Sequence, residues 1–255
     1  APMEELAAEG MRVAATPAET AMRSGTVITM LTDTPALEKV IAGKSGILEA
    51  AGPDTLVIDM STAKMLTTKE LAARIKKCGG AYVDAPVSGG TMGAKQGTMS
   101  IMAGGDESAL ARAMPILKVL GGKVTHVGGI GAGQVVKAAN QVIVGLTICA
   151  VAEALVLAKH AGVDLAKVRE ALGGGFADSK ILEVHGQRMI EDSFLPGARS
   201  TVQRKDMDQA LELAATLGIE LPATSLSRDL YDNLIAMGHG DLDHAALIKA
   251  IDPDV

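Results

Sequence analysis

Gly131-Ala-Gly-Gln-Val-Val-Lys137-Ala-Ala-Asn140-Gln141 heads an apolar run that reaches Ala161 without a proline, and it divides the chain. The run reads as one buried helix over 134–161. Before it, short stretches rich in Val, Ile and Leu alternate with helical patterns. After it, no strand signal survives. On its first turns Gln134, Lys137, Asn140 and Gln141 fall three or four residues apart, so a helix projects them together. A cation on an otherwise apolar helix needs a partner, a solvent-filled cleft or a chemical task. The plain alternative is a lysine that snorkels off the end of a core helix.

Upstream, the alternation predicts strands over 26–31, 56–59, 81–84, 100–103 and 123–127, with helices over 35–41, 68–78 and 107–119. A helix over 3–9 and a strand over 12–14 come before them. Thr67 with Glu70 reads as a capping box for the helix at 68–78. Downstream, helices are expected over 134–161, 165–172, 179–190, 201–217, 223–237 and 244–251. Gly173-Gly174-Gly175, Pro196-Gly197 and Leu221-Pro222 punctuate them. The expected architecture is an α/β domain over 1–130 with a mostly parallel sheet, then an all-helical domain over 131–255, joined by the long helix.

With 255 residues, 48% of them hydrophobic, the chain can bury a substantial core. A net charge of −6, two Tyr, two Phe and no Trp argue against a nucleic-acid surface, which wants basic patches and stacking rings. Cys78 and Cys149 stand in no metal or redox spacing, so no metal site and a reducing, cytoplasmic setting are expected. No signal-peptide pattern opens the chain. The stretch 135–158 is long enough to cross a bilayer, but Lys137, Asn140, Gln141 and Glu153 within it favour a buried soluble helix.

In an open parallel sheet, ligands gather beyond the carboxyl ends of the strands. Three strand ends have polar tails: Leu31 into Thr32-Asp33, Asp59 into Ser61-Thr62, and Asp84 into Ala85-Pro86-Val87-Ser88-Gly89-Gly90. Ser88, Gly89 and Gly90 offer a hydroxyl and backbone N–H groups with no Cβ in the way, a nest suited to a carboxylate. A tight turn explains the same residues without a ligand, and an N-cap explains Ser61-Thr62. Gly128-Gly129-Ile130-Gly131-Ala132-Gly133 imitates a dinucleotide fingerprint, yet no G-x-G-x-x-G fits it. That loop is expected to let Lys137 approach a ligand closely. Lys205-Asp206 reads as a solvated surface pair.

Taken together, Asp84-Ala-Pro-Val-Ser-Gly-Gly90, Gly131-Ala-Gly-Gln-Val-Val-Lys-Ala-Ala-Asn140, Asp59-Met-Ser-Thr62 and Lys205-Asp206 resemble the β-hydroxyacid dehydrogenase family. That family includes 3-hydroxyisobutyrate dehydrogenase and tartronate semialdehyde reductase, and Gln141 after Asn140 looks more like the second branch. The resemblance implies a Rossmann-like dinucleotide-binding domain and a helical substrate and oligomerisation domain. It implies Lys137 as the catalytic acid/base and Ser88, Gly89, Gly90, Asn140 and Gln141 as substrate contacts. Leu31, Thr32, Thr62 and Lys205 would line a site for NAD or NADP. Thr32 departs from the family, where Pro is common.

Family members begin with a strand, a G-x-G-x-x-G loop and a helix. This chain opens at Ala1-Pro2 in what reads as the next helix, so a fragment without the fingerprint segment is expected. The implied reaction is hydride transfer between the nicotinamide and a small β-hydroxy acid. A homodimer or homotetramer is expected to cover the apolar long helix. One rival is a catalytically impaired, scaffold-like protein on the same fold; another is a bare helical oligomerisation module. A third is a decarboxylating 6-phosphogluconate-type enzyme, which has a His just after its Lys where this chain has Ala138-Ala139-Asn140.

Overall fold

In the computed structural model, which describes residues 2–254, the chain forms two compact units. One takes in the chain up to Gly89 together with Gln96–Val136. The other takes in Gly90–Lys95 and the chain from Lys137 onward.

The elements of the first half are α1 (Pro2–Ala8), α2 (Pro17–Arg23), β1 (Thr26–Thr29), α3 (Thr34–Ala42) and a 3-10 turn at Ile47–Glu49. They continue with β2 (Leu56–Asp59), α4 (Met65–Lys77), β3 (Ala81–Asp84), β4 (Val87–Ser88) and α5 (Gly90–Gln96). Then come β5 (Ser100–Gly104), α6 (Glu107–Leu120), β6 (Lys123–Gly128) and α7 (Ala132–His160), whose first turn belongs to this unit. β1–β2, β2–β3 and β5–β6 pair in parallel. β3 and β4 both run antiparallel to β5, so β5 and β6 oppose the first three strands and the sheet is mixed. Alternate strand residues feed opposite faces. Leu56, Ile58 and Val83 pack with Leu110, Ala113 and Leu117 of α6. Val27, Val57 and Tyr82 pack with Leu37, Ile41, Leu71 and Ile75 of α3 and α4. Burial on both faces is why β2 and β3 read as short apolar runs.

Several expectations need correcting here. Residues 12–14 form no strand; Val13 is 51% exposed and the segment pairs with no strand among the described residues. α2, for which no helix was expected, follows it, and there Thr16 accepts from the Glu19 N–H while Glu19 reaches back to the Ala15 N–H. The Thr67–Glu70 capping box does not form. α4 begins earlier, with Lys64 as its N-cap, and the Lys64 N–H donates to the Thr34 hydroxyl. β1 stops at Thr29 because the Leu31 N–H leaves the ladder for Ser61 Oγ.

In the second unit α7 is followed by α8 (Leu165–Leu172), α9 (Lys180–Ile190), α10 (Ser200–Thr216) and α11 (Pro222–Ala236). The expected terminal helix splits into a 3-10 turn, His244–Leu247, and α12 (Ile248–Ile251). Ile148, Val151 and Leu155 of α7 form a core with Leu182, Met189, Met207, Tyr231 and Leu234. Gly145 allows α10 to come close, since a Cβ there would lie 2.8 Å from Met207 Sδ. Asp164, Ser179 and Asp243 cap helix starts with their side chains. Asp243 also accepts from the Gly197 and Ala198 N–H groups and pairs with Arg188 at 2.6 Å. His185 beside it, with these bonds, holds its carboxyl below the usual range despite burial. α7 is long and apolar enough to cross a membrane by length and composition, yet its buried residues here are core or are hydrogen-bonded.

Candidate active site

Asp59 and Asp84 end adjacent strands in register, and neither is exposed. Asp59 accepts from the Thr29 hydroxyl at 2.8 Å, the Ser61 N–H at 3.0 Å and the Tyr82 hydroxyl at 3.1 Å. Burial raises its pKa against those bonds. Burial, with Asp59 alongside, also pushes the Tyr82 phenol well above its ordinary value, so it remains a donor. Asp84 accepts the Gly131 N–H at 2.8 Å and the Gln134 N–H at 3.1 Å. It thus supplies the capping side chain that Gly131 lacks, at the positive end of α7. Burial still pushes its pKa up to about 6.

Gln134, expected to project from the same helix face as Lys137, is buried. Its Oε1 accepts the Ala63 N–H at 3.0 Å and its Nε2 donates to the Ser61 carbonyl at 2.9 Å. Ser61 Oγ accepts the Leu31 N–H at 2.9 Å. The loops carrying Leu31 and Thr62 are therefore fixed from behind, at the carboxyl ends of parallel β1 and β2. Thr62 is half-buried; Thr32 is exposed and donates to Asp33, which caps α3. The expected nest spans the turn between β4 and α5. Ser88 ends β4, Gly89 has φ +134° and Gly90, with φ +60°, opens α5. Ser88 is half-buried, and both glycines are exposed.

Of the glycines before Lys137, Gly133 serves packing, as does Gly104 on β5. A Cβ on Gly133 would lie 2.7 Å from Asp84 Oδ2, and one on Gly104 would lie 2.7 Å from Asp84 Oδ1. Both glycines make room for the capping carboxylate.

In the second unit the structure brings together Lys137, Asn140, Gln141, Gln203, Lys205 and Asp206. Lys137 Nζ donates to Gln141 Oε1 at 3.2 Å, and Asn140 Nδ2 donates to the same oxygen at 2.8 Å. Gln141 Nε2 donates to Gln203 Oε1 at 3.0 Å and Asp206 Oδ2 at 2.6 Å. Gln141 is buried, with both ends of its amide bonded within the protein. Lys205 and Asp206 are 2.9 Å apart but are not a solvated pair, because Asp206 is buried. Burial lowers the Lys137 pKa; Asp206 raises it in part, and Lys205 lowers it further. Such an amine can give and take a proton nearer neutrality than an ordinary lysine.

Asp59, Ser61, Asp84 and Asp206 were read only within motifs and not as site residues, and Gln203 was not singled out. A charged residue ending an apolar strand was the available signal for the first group, while a polar pair within an amphipathic helix hid Asp206.

Residues 1–128 match the family model described as the NAD binding domain of 6-phosphogluconate dehydrogenase. Residues 131–251 match the one described as the NAD-binding of NADP-dependent 3-hydroxyisobutyrate dehydrogenase. The 2-hydroxy-3-oxopropionate reductase of Escherichia coli (strain K12) is 45% identical over 229 residues, 90% of this chain and 78% of that protein. The 2-(hydroxymethyl)glutarate dehydrogenase of Eubacterium barkeri is 34% identical over 243 residues, 95% of this chain and 81% of that protein. Among solved structures, the Mycobacterium tuberculosis 3-hydroxyisobutyrate dehydrogenase with L-serine superposes with a TM-score of 0.87 at 32% identity. That superposition covers 96% of this chain and 86% of the other.

Proposed function

The chain belongs to the β-hydroxyacid dehydrogenase family, and on that premise we propose that it moves a hydride between NAD or NADP and a small β-hydroxy acid. The substrate class is that of 2-hydroxy-3-oxopropionate (tartronate semialdehyde) and glycerate, or of 3-hydroxyisobutyrate. The observation that carries this reading is the state of Lys137, a buried amine with a lowered pKa, held by Gln141 and backed by Asp206.

Leu31, Thr32 and Thr62, with Lys205, are the proposed cofactor contacts. The first three fit the role because their loops leave the carboxyl ends of parallel strands and are braced from behind. When bound, the nicotinamide ring supplies or accepts the hydride. In oxidation Lys137, as the free amine, takes the proton of the substrate hydroxyl. In reduction the ammonium returns it to the forming alkoxide. Ser88, Gly89 and Gly90 hold the substrate carboxylate and so fix distance and orientation. Asn140 supports the substrate, and Gln141 contributes by orienting the amine.

The same reading includes a homodimer or homotetramer. Val135, Ile143 and Leu157 of α7 stay exposed on a helix whose other face includes core residues such as Ile148, Val151 and Leu155, and a second copy is the proposed cover. A cytoplasmic location fits the two free thiols, Cys78 and Cys149.

Lys137→Ala should cut kcat by about 100-fold or more if general acid/base work is its role. Near-normal turnover of that variant would remove Lys137 from the mechanism. Ser88→Ala should raise KM for the carboxylate substrate, and an unchanged KM would argue against the nest.

A further inference from the structure

We propose that Gln134 is a positioning residue that ties the loop around Thr62 to the first turn of the helix carrying Lys137. The inference rests on the reading above, in which Thr62 meets the cofactor and Lys137 moves the proton. It gives a task to a residue that reading leaves without one.

The two groups held by the Gln134 side chain, the Ser61 carbonyl and the Ala63 N–H, flank Thr62. One planar amide thus fixes the peptides on both sides of that residue. An amide suits the place, because its oxygen only accepts and its nitrogen only donates. The loop presents one donor and one acceptor to match. A carboxylate would set an oxygen against the Ser61 carbonyl, and an apolar side chain would leave both backbone groups unpaired where water is excluded.

The backbone of Gln134 is fixed in turn, through its N–H on Asp84 Oδ2 at 3.1 Å. At the other end, Ser61 carries the link to the Leu31 N–H at 2.9 Å. A continuous run of bonds therefore passes from Leu31 through Ser61 and Gln134 to Asp84. Lys137 follows Gln134 by three residues on α7, just under one helical turn. A shift of the loop at Thr62 is passed to the helical segment that bears the amine. Seating of the cofactor and proton transfer by Lys137 are then coupled events.

The test uses Gln134→Leu and Gln134→Glu; the second keeps an acceptor for the Ala63 N–H and protects the experiment if the first folds poorly. Hydrogen exchange at the Ala63 amide and titration of the Lys137 amine, followed by NMR on labelled lysine, are measured without cofactor. Cofactor KM and kcat follow. In Gln134→Leu, exchange at Ala63 should speed by about tenfold, the effect of one lost hydrogen bond. The Lys137 titration should move up towards the ordinary lysine value in Gln134→Leu, as water reaches a loosened helix start; in Gln134→Glu the added carboxylate raises it by charge as well, so there the fall in kcat is the deciding readout. Cofactor KM should rise while kcat falls. A brace with no link to the amine would lower Tm and speed exchange while leaving the Lys137 titration and kcat unchanged, and that result overturns the proposal. If neither the parent chain nor the variants turn over β-hydroxy acids with NAD or NADP, the functional reading fails. Exchange and titration still decide the coupling in that case.

Discussion

Lys137 and Asp206 are joined through one amide, that of Gln141, which accepts from the lysine at 3.2 Å and donates to the carboxylate at 2.6 Å. Burial lowers the lysine pKa, and Asp206 opposes it. Asp206→Asn keeps the shape and removes the charge, so the Lys137 pKa should fall further. In pH–rate profiles, the limb belonging to this group should move to lower pH in both directions of reaction. Oxidation, which needs the free amine, gains on its acid side. Reduction, which needs the ammonium, fails sooner on its alkaline side. A limb that stays in place, or moves up, takes Asp206 out of the control of Lys137.

Burial of the same amine has a thermodynamic consequence. The folded pKa of Lys137 lies below the ordinary 10.5, so between the two the unfolded chain binds more protons and stability rises with pH. Below the folded pKa the buried ammonium carries its full desolvation cost. Lys137→Met should therefore raise Tm at pH 7 while abolishing turnover, a stability–activity trade-off. Thermal unfolding should show the gap between the two proteins narrowing as pH approaches 10.5. A variant less stable than the parent at neutral pH would mean that hydrogen bonding to Gln141 outweighs desolvation.

The sheet was readable where both of its faces are covered. β2 and β3 fall on the expected residues because a doubly buried strand is a short apolar run between turn signals. α8 was as clear, with Asp164 and Gly173 marking its ends. α5 and β4 were not readable, since a two-residue strand and a helix opening on glycine have no period to detect. Lys137 stood out as a charge misplaced on an apolar helix. Gln134 and Gln141 stood out with it, but their partners did not, because these contacts are remote in sequence: Gln141 to Asp206 spans 65 residues and Gln134 to Ser61 spans 73.

Asp84 should leave its mark on the pH dependence of stability. Its pKa rises from 3.8 to about 6 on folding, so between these values the folded chain holds a proton that the unfolded chain has released. Its contribution is fully present below the lower value and fades as pH rises through the upper one. The loss amounts to about 3 kcal/mol at most. Asp84→Asn removes this titration. Urea unfolding across a pH series should therefore show the parent's advantage over the variant shrinking between pH 4 and pH 7. A gap that holds constant across the series would mean that Asp84 does not titrate in this window.

Two glycines before Lys137 should answer the same substitution in opposite ways. At Gly133 an added methyl would meet the Met102 carbonyl and lie 2.7 Å from both the Asp84 carbonyl and Asp84 Oδ2, where no flexible side-chain end can yield. Gly133→Ala should cost about 3 kcal/mol or more, the upper range for overpacking a rigid site. At Gly129 nothing lies within 4 Å of the added atom, and φ is outside the left-handed region. Gly129→Ala should be neutral or stabilise by about 0.4–1 kcal/mol through the unfolded chain. Thermal unfolding of the pair checks both at once. Equal tolerance at the two positions would show that α7 can start away from β5, and that the Asp84 cap is not a fixed part of the helix start.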